Sequence, residues 1–495
     1  MSSMNRREFL HDTTALAALM AGAGIFAGPV ATARAAAKKK GDANDKLHVA
    51  VIGVNGRGMD HVKQFANKHD CLITTICDCD SAVIGRAMKL VEKEQKKAPR
   101  YEQDLRRVLD DKTIDIITIA MPNHWHALAA IWGLQSGKHV YVEKPVSHNV
   151  SEGRRIVEAA DKYGKICQTG TQSRSSGAMR EAVEFLHSDK IGKVKLARAF
   201  CYKLRPSIGK VSGPQPIPSS IDYDLWCGPA PLEPLMRKKL HYDWHWQWNY
   251  GNGDLGNQGI HEMDKARWGL GKNELAKSVI SIGGRFGYED DGETANTQIC
   301  AFDYGDSELI FEVRGLPSKS PFPGAKADKK PTNHVGNIWY GSEGFVAAGD
   351  KDIVAFSNNG EVIQKFNGKG KGEDHFGNFV KAVRSGNRSE LNADILEGHL
   401  SSALCHLGNI SYILGSGKSF QDSAKSFGDD KEAYETLARM SDHLKENKIP
   451  LDKTSCRVGK KLTIDQKAER CVKDDEANAY LTREYRKLFV VPERV

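Results

Sequence analysis

Between Leu47 and Val142 the chain alternates short apolar runs with longer mixed stretches. Leu47-His48-Val49-Ala50-Val51-Ile52-Gly53 is apolar and β-rich at successive rather than alternate positions, the pattern of a strand buried on both faces of a parallel sheet. Similar runs recur at Leu72–Cys77, Thr113–Ala120 and Lys138–Val142. Helical stretches separate them: one carries His61, Phe65 and Ala66, and another begins at His124-Trp125-His126 and continues through Ala127-Leu128-Ala129-Ala130. This alternation predicts an α/β fold with a doubly wound parallel sheet, whose ligands gather at the carboxyl ends of the strands.

The residues just past each run carry the chemistry. The first run ends in Gly53-Val54-Asn55-Gly56-Arg57-Gly58. Glycines there allow a tight turn and let backbone N–H groups approach a pyrophosphate at a helix N-terminus. Asn55 occupies the second glycine position of G-x-G-x-x-G; Gly56 supplies freedom beside it, and asparagine tolerates positive φ better than most residues. The second run ends at Asp78, where an acid can accept hydrogen bonds from ribose hydroxyls and repel a 2′-phosphate. NAD is therefore expected over NADP, with NADP left open; a helix cap or loop acid is the plain alternative for Asp78. The third run stops at Met121-Pro122-Asn123 and the fourth at Glu143-Lys144-Pro145, so Lys144 stands at a strand's carboxyl end.

Further on, Tyr242-Asp243-Trp244-His245-Trp246-Gln247-Trp248-Asn249-Tyr250 is dense in aromatics. The alternation of Trp244, Trp246 and Trp248 suits one face of an extended segment. Such a face stacks on pyranose rings, or equally packs a core or an oligomer contact. Beyond Ser423 the tail is charged and mostly helical in pattern.

Composition narrows the class. A chain of 495 residues, 40% hydrophobic and 27% charged, has the balance of a globular protein of two or three domains. The net charge of +8 is diffuse and no basic stripe interleaves with aromatics, which argues against nucleic acid as a partner. Ten cysteines, without zinc-like spacing, are too sparse for a disulfide scaffold, so free buried thiols are the default and no metal site is expected; a disulfide or two stays open. Asn5-Arg6-Arg7-Glu8-Phe9-Leu10, an apolar run from Ala15 to Ala27 and Ala33-Arg34-Ala35 have the layout of a cleavable export signal. The arginine pair resembles the twin-arginine class, which carries folded proteins across a membrane. The expected organisation is a signal over 1–35, a polar linker over 36–46, a dinucleotide-binding domain over 47–167 and a second domain over 168–495. The mature protein would be periplasmic, with the twin-arginine machinery as a partner and no spanning helix.

Pro122-Asn123-His124-Trp125-His126, Gly137-Lys138-His139-Val140 and Glu143-Lys144-Pro145 together resemble the glucose–fructose oxidoreductase/inositol dehydrogenase (Gfo/Idh/MocA) family. Asp222 to Ala230, Gly251 to His261 and Ala477 to Arg486 are similar to an exported branch of it. The resemblance implies an N-terminal Rossmann domain and a C-terminal α/β domain on a large open, mostly antiparallel sheet that supplies the substrate pocket and a homo-oligomer interface. It implies a cofactor set of Gly53, Asn55, Gly56, Arg57, Gly58, Asp78, Pro122, Asn123, His126, Glu143 and Lys144. It places Lys144, after a cis-capable bond to Pro145, beside the nicotinamide and the substrate hydroxyl, with His261 as the second catalytic candidate.

In the family an aspartate precedes that histidine by four residues; here the position holds Asn257, which can orient a ring or bind a hydroxyl but relays no proton. Gln168, Gln172 and Arg174 resemble positions near the substrate, although Arg174 suits a surface ion pair equally. With Lys144, Trp244, Trp246, Asn257 and His261, Gln172 and Arg174 complete the expected carbohydrate site. The leading expectation is a nicotinamide-dependent oxidoreductase acting on a sugar, polyol or glycoside. The alternatives are an exported NAD-dependent glycosidase, from whose branch the expected Tyr-Pro-Thr-His-Gly stretch is missing, and a non-catalytic sugar-binding protein.

Overall fold

Six parallel strands form the first sheet: β1 (Leu47–Ile52), β2 (Cys71–Cys77), β3 (Arg100–Glu102), β4 (Ile116–Ile119), β5 (His139–Val142) and β6 (Cys167–Thr169). Their order is β3-β2-β1-β4-β5-β6. The chain starts at β1, winds out to β3, then returns across β1 and winds out to β6, which opens a crevice where the winding reverses. The apolar runs account for β1, β2, β4 and β5, whose residues are almost wholly buried. In the computed structural model the described residues are 46–495, apart from 325–331, 350–351, 371 and 424. The arginine pair and the rest of the expected signal lie outside them.

Twelve strands form the second sheet. At its centre β7 (Leu196–Tyr202) runs parallel to β10 (Glu308–Arg314), and β10, β9 (Thr297–Asp303) and β8 (Ser278–Gly284) follow one another antiparallel. Every other pairing in this sheet is antiparallel, giving the mixed, mostly antiparallel sheet that was expected. Helices Gly259–Gly269 and Ile395–Ile413 cover one face, burying Ile260, Met263, Leu404 and Leu407 against Ala199, Phe302 and Phe311.

The two sheets do not divide at 167. Strand β6 runs to Thr169, and segments from far along the chain return to the first sheet. Phe376, Phe379 and Val380 pack on one of its faces, and Phe489 and Val491 of the tail join the core on the other. The helix Val150–Tyr163 packs against Ile395–Ile413. These joints hold the crevice of the first sheet against the second. All ten cysteines are free, and nine are buried. Among the described residues no helix is long and apolar enough to cross a membrane.

Candidate active site

A cavity of about 450 Å³ lies along the carboxyl ends of β1, β2, β4 and β5. Its floor is the glycine turn. Gly53 has φ +79°, and a side chain there would meet the Ala120 carbonyl at 2.7 Å. A Cβ on Gly58 would sit 1.7 Å from the Gly53 oxygen, so this glycine lets helix Gly58–Phe65 press against its own strand. Gly56 has nothing within 4 Å of its missing side chain and opens on the cavity, room that a phosphate can use. Asn55 does not take a positive φ, so the conformational freedom expected of it goes unused; its carbonyl instead accepts from Arg86 at 2.8 Å.

Asp78 closes the crevice at the end of β2. Its two oxygens accept from the backbone N–H groups of Val54 (2.8 Å) and Asp80 (3.1 Å). Each oxygen keeps a lone pair for a ribose hydroxyl. Across the crevice Pro122 and Asn123 start helix Asn123–Gln135. Both ring nitrogens of His126 meet carbonyls, Pro145 at 2.6 Å and Met121 at 2.7 Å, which ties the β4 turn to the cis Lys144–Pro145 loop.

Glu143 and Lys144 diverge at the end of β5. Glu143 is buried and accepts from Arg57 (2.8 Å), His61 (3.2 Å) and Gln172 (3.4 Å). Burial opposes its charge, but the His61 hydrogen bond and the Arg57 guanidinium hold it well below the usual carboxylate range. A Cβ on Gly170 would fall within 3 Å of this carboxylate, so a glycine is required behind it. Lys144 Nζ donates to the Asn257 carbonyl at 2.9 Å. Burial pulls its pKa below that of an ordinary lysine, with Glu143 opposing. Asn257 ends the short helix Gly253–Asn257, and it serves Lys144 through its backbone. His261 follows on the next helix; burial, then the charge of Lys144, lower its pKa well below that of a free histidine.

The remaining expected residues are distributed differently. Gln172 stands behind Glu143, hydrogen-bonded to the Tyr141 hydroxyl at 3.0 Å. Gln168 donates to the His375 carbonyl, away from the cavity. Arg174 is 6% exposed and does not line the cavity. It pairs with Asp264 through Nε (2.8 Å) and Nη2 (2.9 Å) and with Glu397 (2.9 Å), a buried joint rather than a surface ion pair or a substrate contact.

The three tryptophans do not share a face either. Asp243–Trp246 is one turn of 3₁₀ helix, in which residues two apart point in different directions. Trp244 lines the cavity, and Trp246 is buried beneath Arg205, 5.1 Å from its ring. Trp248 lines a separate cavity with Asn409 and Arg483. Sequence reasoning missed Tyr242 and His245, which line the main cavity. Their only signal was membership of the aromatic run.

A glycine turn, a ribose-height carboxylate and a buried lysine around one crevice define a dinucleotide-binding α/β protein with a second, capping domain. The profile described as "Oxidoreductase family, NAD-binding Rossmann fold" matches residues 47–171, and that of "Oxidoreductase family, C-terminal alpha/beta domain" matches residues 191–318. The chain belongs to the Gfo/Idh/MocA oxidoreductase family. It is similar to a glycosyl hydrolase family 109 protein of Shewanella sp. (strain W3-18-1), 35% identical over 179 residues, 34% of this chain and 39% of that one. It is 31% identical, over the same shares, to an alpha-N-acetylgalactosaminidase of Shewanella oneidensis. The match thus spans about two-fifths of these relatives.

Among solved structures, levoglucosan dehydrogenase in complex with NADH and levoglucosan superposes with a TM-score of 0.54 at 17% identity, over 73% of this chain and 96% of that one. The WlbA dehydrogenase of Bordetella pertussis, in complex with NADH and UDP-GlcNAcA, gives 0.53 at 18%, over 74% and 96%. At such identities the likeness is one of fold.

Proposed function

We propose that the protein is a nicotinamide-dinucleotide-dependent oxidoreductase acting on a CH–OH group of a sugar, polyol or glycoside. One observation carries this reading: Lys144 Nζ, bonded to a single carbonyl, lines the same crevice as the glycine turn and Asp78. The open space at Gly56 and the spare lone pairs of Asp78 fit a dinucleotide, with the turn from Gly53 to Gly58 toward the pyrophosphate and Asp78 toward the ribose. Asp78 supports NAD over NADP, because a 2′-phosphate would meet its charge. The bound dinucleotide supplies a hydride acceptor.

Lys144 has two N–H groups left after the Asn257 carbonyl, and these hold the substrate oxygen while negative charge develops on it. Glu143, fixed by Arg57 and His61, keeps the loop in place and favours the ammonium form. Trp244 offers a ring face to the sugar, and Asn257 lines the cavity beside Lys144 as a further contact. The Arg6-Arg7 leader supports export with the cofactor already bound. Large apolar residues exposed on strand Val362–Phe366, Val362 and Ile363, support a homo-oligomer.

A second reading, a glycosidase that oxidises a sugar transiently, eliminates the aglycone and returns the hydride, is favoured by the names of the Shewanella relatives. Assays with D-glucose, N-acetyl-D-galactosamine and myo-inositol, and with p-nitrophenyl glycosides of the two sugars, separate the two. Reduced cofactor formed with a free sugar or polyol is the expected result, and nitrophenol release without net reduction favours the second reading. Lys144→Ala should lose at least about 100-fold in turnover while retaining the dinucleotide. Wild-type-like turnover by that variant would remove Lys144 from the mechanism.

A further inference from the structure

Lys144 is a donor, so the proton of the substrate hydroxyl needs an acceptor elsewhere in the crevice. His245 lines the cavity together with Lys144 and Asn257. Its Nδ1 donates to the Tyr242 carbonyl, which leaves the lone pair on Nε2. That nitrogen has no hydrogen-bond partner among the described residues. His261, by contrast, does not line the cavity and has no side-chain hydrogen bond among the described residues to fix its tautomer.

The chain holds this ring from several sides. Tyr242 has φ +67° and ψ −50°, and Asp243 N–H donates to the His241 carbonyl at 2.9 Å. Together these make a three-residue γ-turn of the strained, positive-φ kind. Such strain persists only where the surroundings over-determine it, and it concentrates at functional sites. Arg205 supplies that constraint: it donates to the Tyr242 hydroxyl at 2.8 Å and to both oxygens of Asp254 at 2.7 and 2.8 Å. Trp244 stacks on the imidazole with centroids 3.6 Å apart and planes at 19°. From below, a side chain on Gly251 would sit 2.5 Å from the His245 carbonyl, so a glycine is needed for this contact.

We propose that His245 is the proton acceptor of the reaction, taking the hydroxyl proton on Nε2 while Lys144 holds the same oxygen. The assignment rests on the oxidoreductase reading. In the oxidation the O–H and C–H bonds break and C=O forms. The proton passes to His245, and a bound oxidised dinucleotide would supply the acceptor for the hydride and its two electrons. Reduction returns the proton from the imidazolium. The charged and titratable groups facing the ring are Lys144, Arg205 and the buried imidazole of His126, with Asp254 balancing Arg205 and the Tyr242 phenol above. Burial, against the Tyr242 carbonyl and with the charges of Lys144 and Arg205, pulls the imidazole to about 3. The ring therefore rests neutral with its Nε2 lone pair free, while the same burial and charges oppose its protonation, so the charge forming on the substrate oxygen has to drive the transfer.

His245→Asn tests this on the protein purified with its dinucleotide, because the asparagine amide can keep the bond to Tyr242 while Nε2 is lost. With whichever sugar, polyol or aryl glycoside the wild type turns over, kcat should fall by about 10²–10⁴-fold. KM and the Kd for NADH should stay within about three-fold. Added imidazole should partly restore His245→Ala in proportion to its free-base fraction, which a purely structural role would not allow. Nitrogen NMR should show the neutral Nδ1–H tautomer for this histidine from about pH 5 to 8. A His245→Asn kcat within about three-fold of wild type, no imidazole rescue of a folded, cofactor-loaded His245→Ala, or an imidazolium signal in that range would each overturn the assignment. An active His245→Asn beside an inactive Lys144→Ala contradicts the assignment alone. A wild type that binds no dinucleotide and turns over none of these compounds contradicts the oxidoreductase reading itself.

Discussion

At the scale of single residues, the crevice works by dividing labour between neighbours. Glu143 and Lys144 are adjacent in the chain yet held differently, one locked by Arg57 and His61, the other held by a single carbonyl. Asp78 is divided in the same way, giving one lone pair of each oxygen to the backbone and keeping the others for a ligand. On the proposed reading its carboxylate discriminates NAD from NADP, although burial raises its pKa while the Val54 and Asp80 N–H groups lower it. Asp78→Ser should weaken NADH binding by about 10- to 100-fold, the worth of a lost charge-assisted hydrogen bond, and weaken NADPH far less. Fluorescence titration of both cofactors checks this; equal losses would mean that Asp78 only braces the turn.

Residue chemistry was legible wherever a residue ended a strand. Gly53, Asp78 and Lys144 could be placed from the chain because the extent of each continuous apolar run fixes where its strand stops. Arg174 and Trp246 could not, since their neighbours come from residues far away in sequence: Asp264 and Glu397 for one, Arg205 for the other. The aromatic run showed an alternation of two, but the γ-turn at Tyr242 and the single 3₁₀ turn after it override that period.

Among the elements, the turn between β1 and helix Gly58–Phe65 carries the tightest steric demand. Gly58→Ala forces a methyl onto the Gly53 carbonyl and must push the helix off the strand. Overpacking of this kind costs about 1–3 kcal/mol or more, and here it also displaces the phosphate turn. Thermal unfolding should show a lowered midpoint, together with weaker dinucleotide binding. An unchanged midpoint and affinity would mean that the turn is softer than its geometry implies. The two strands that the pattern did not predict, β3 and β6, are three residues each, and Arg-Tyr-Glu and Cys-Gln-Thr carry no apolar run. They pair because the longer strands beside them are already in place.

The whole molecule joins two sheets so closely that the crevice belongs to both. Lys144 reaches from the first sheet to Asn257, Asn123 donates to Asn252 at 3.1 Å, and Arg174 ties the turn after β6 to the helices over the second sheet. The second sheet itself was expected from family resemblance rather than from strand patterns. On the proposed reading the dinucleotide is gripped between the two sheets and held through each cycle. The most direct measurement is therefore to denature the purified protein and identify what it releases. About one nicotinamide dinucleotide per chain should appear, NAD(H) rather than NADP(H), retained through dialysis of the folded protein. A protein that releases none, and to which neither NADH nor NADPH binds when added, would contradict a dinucleotide enzyme of any kind.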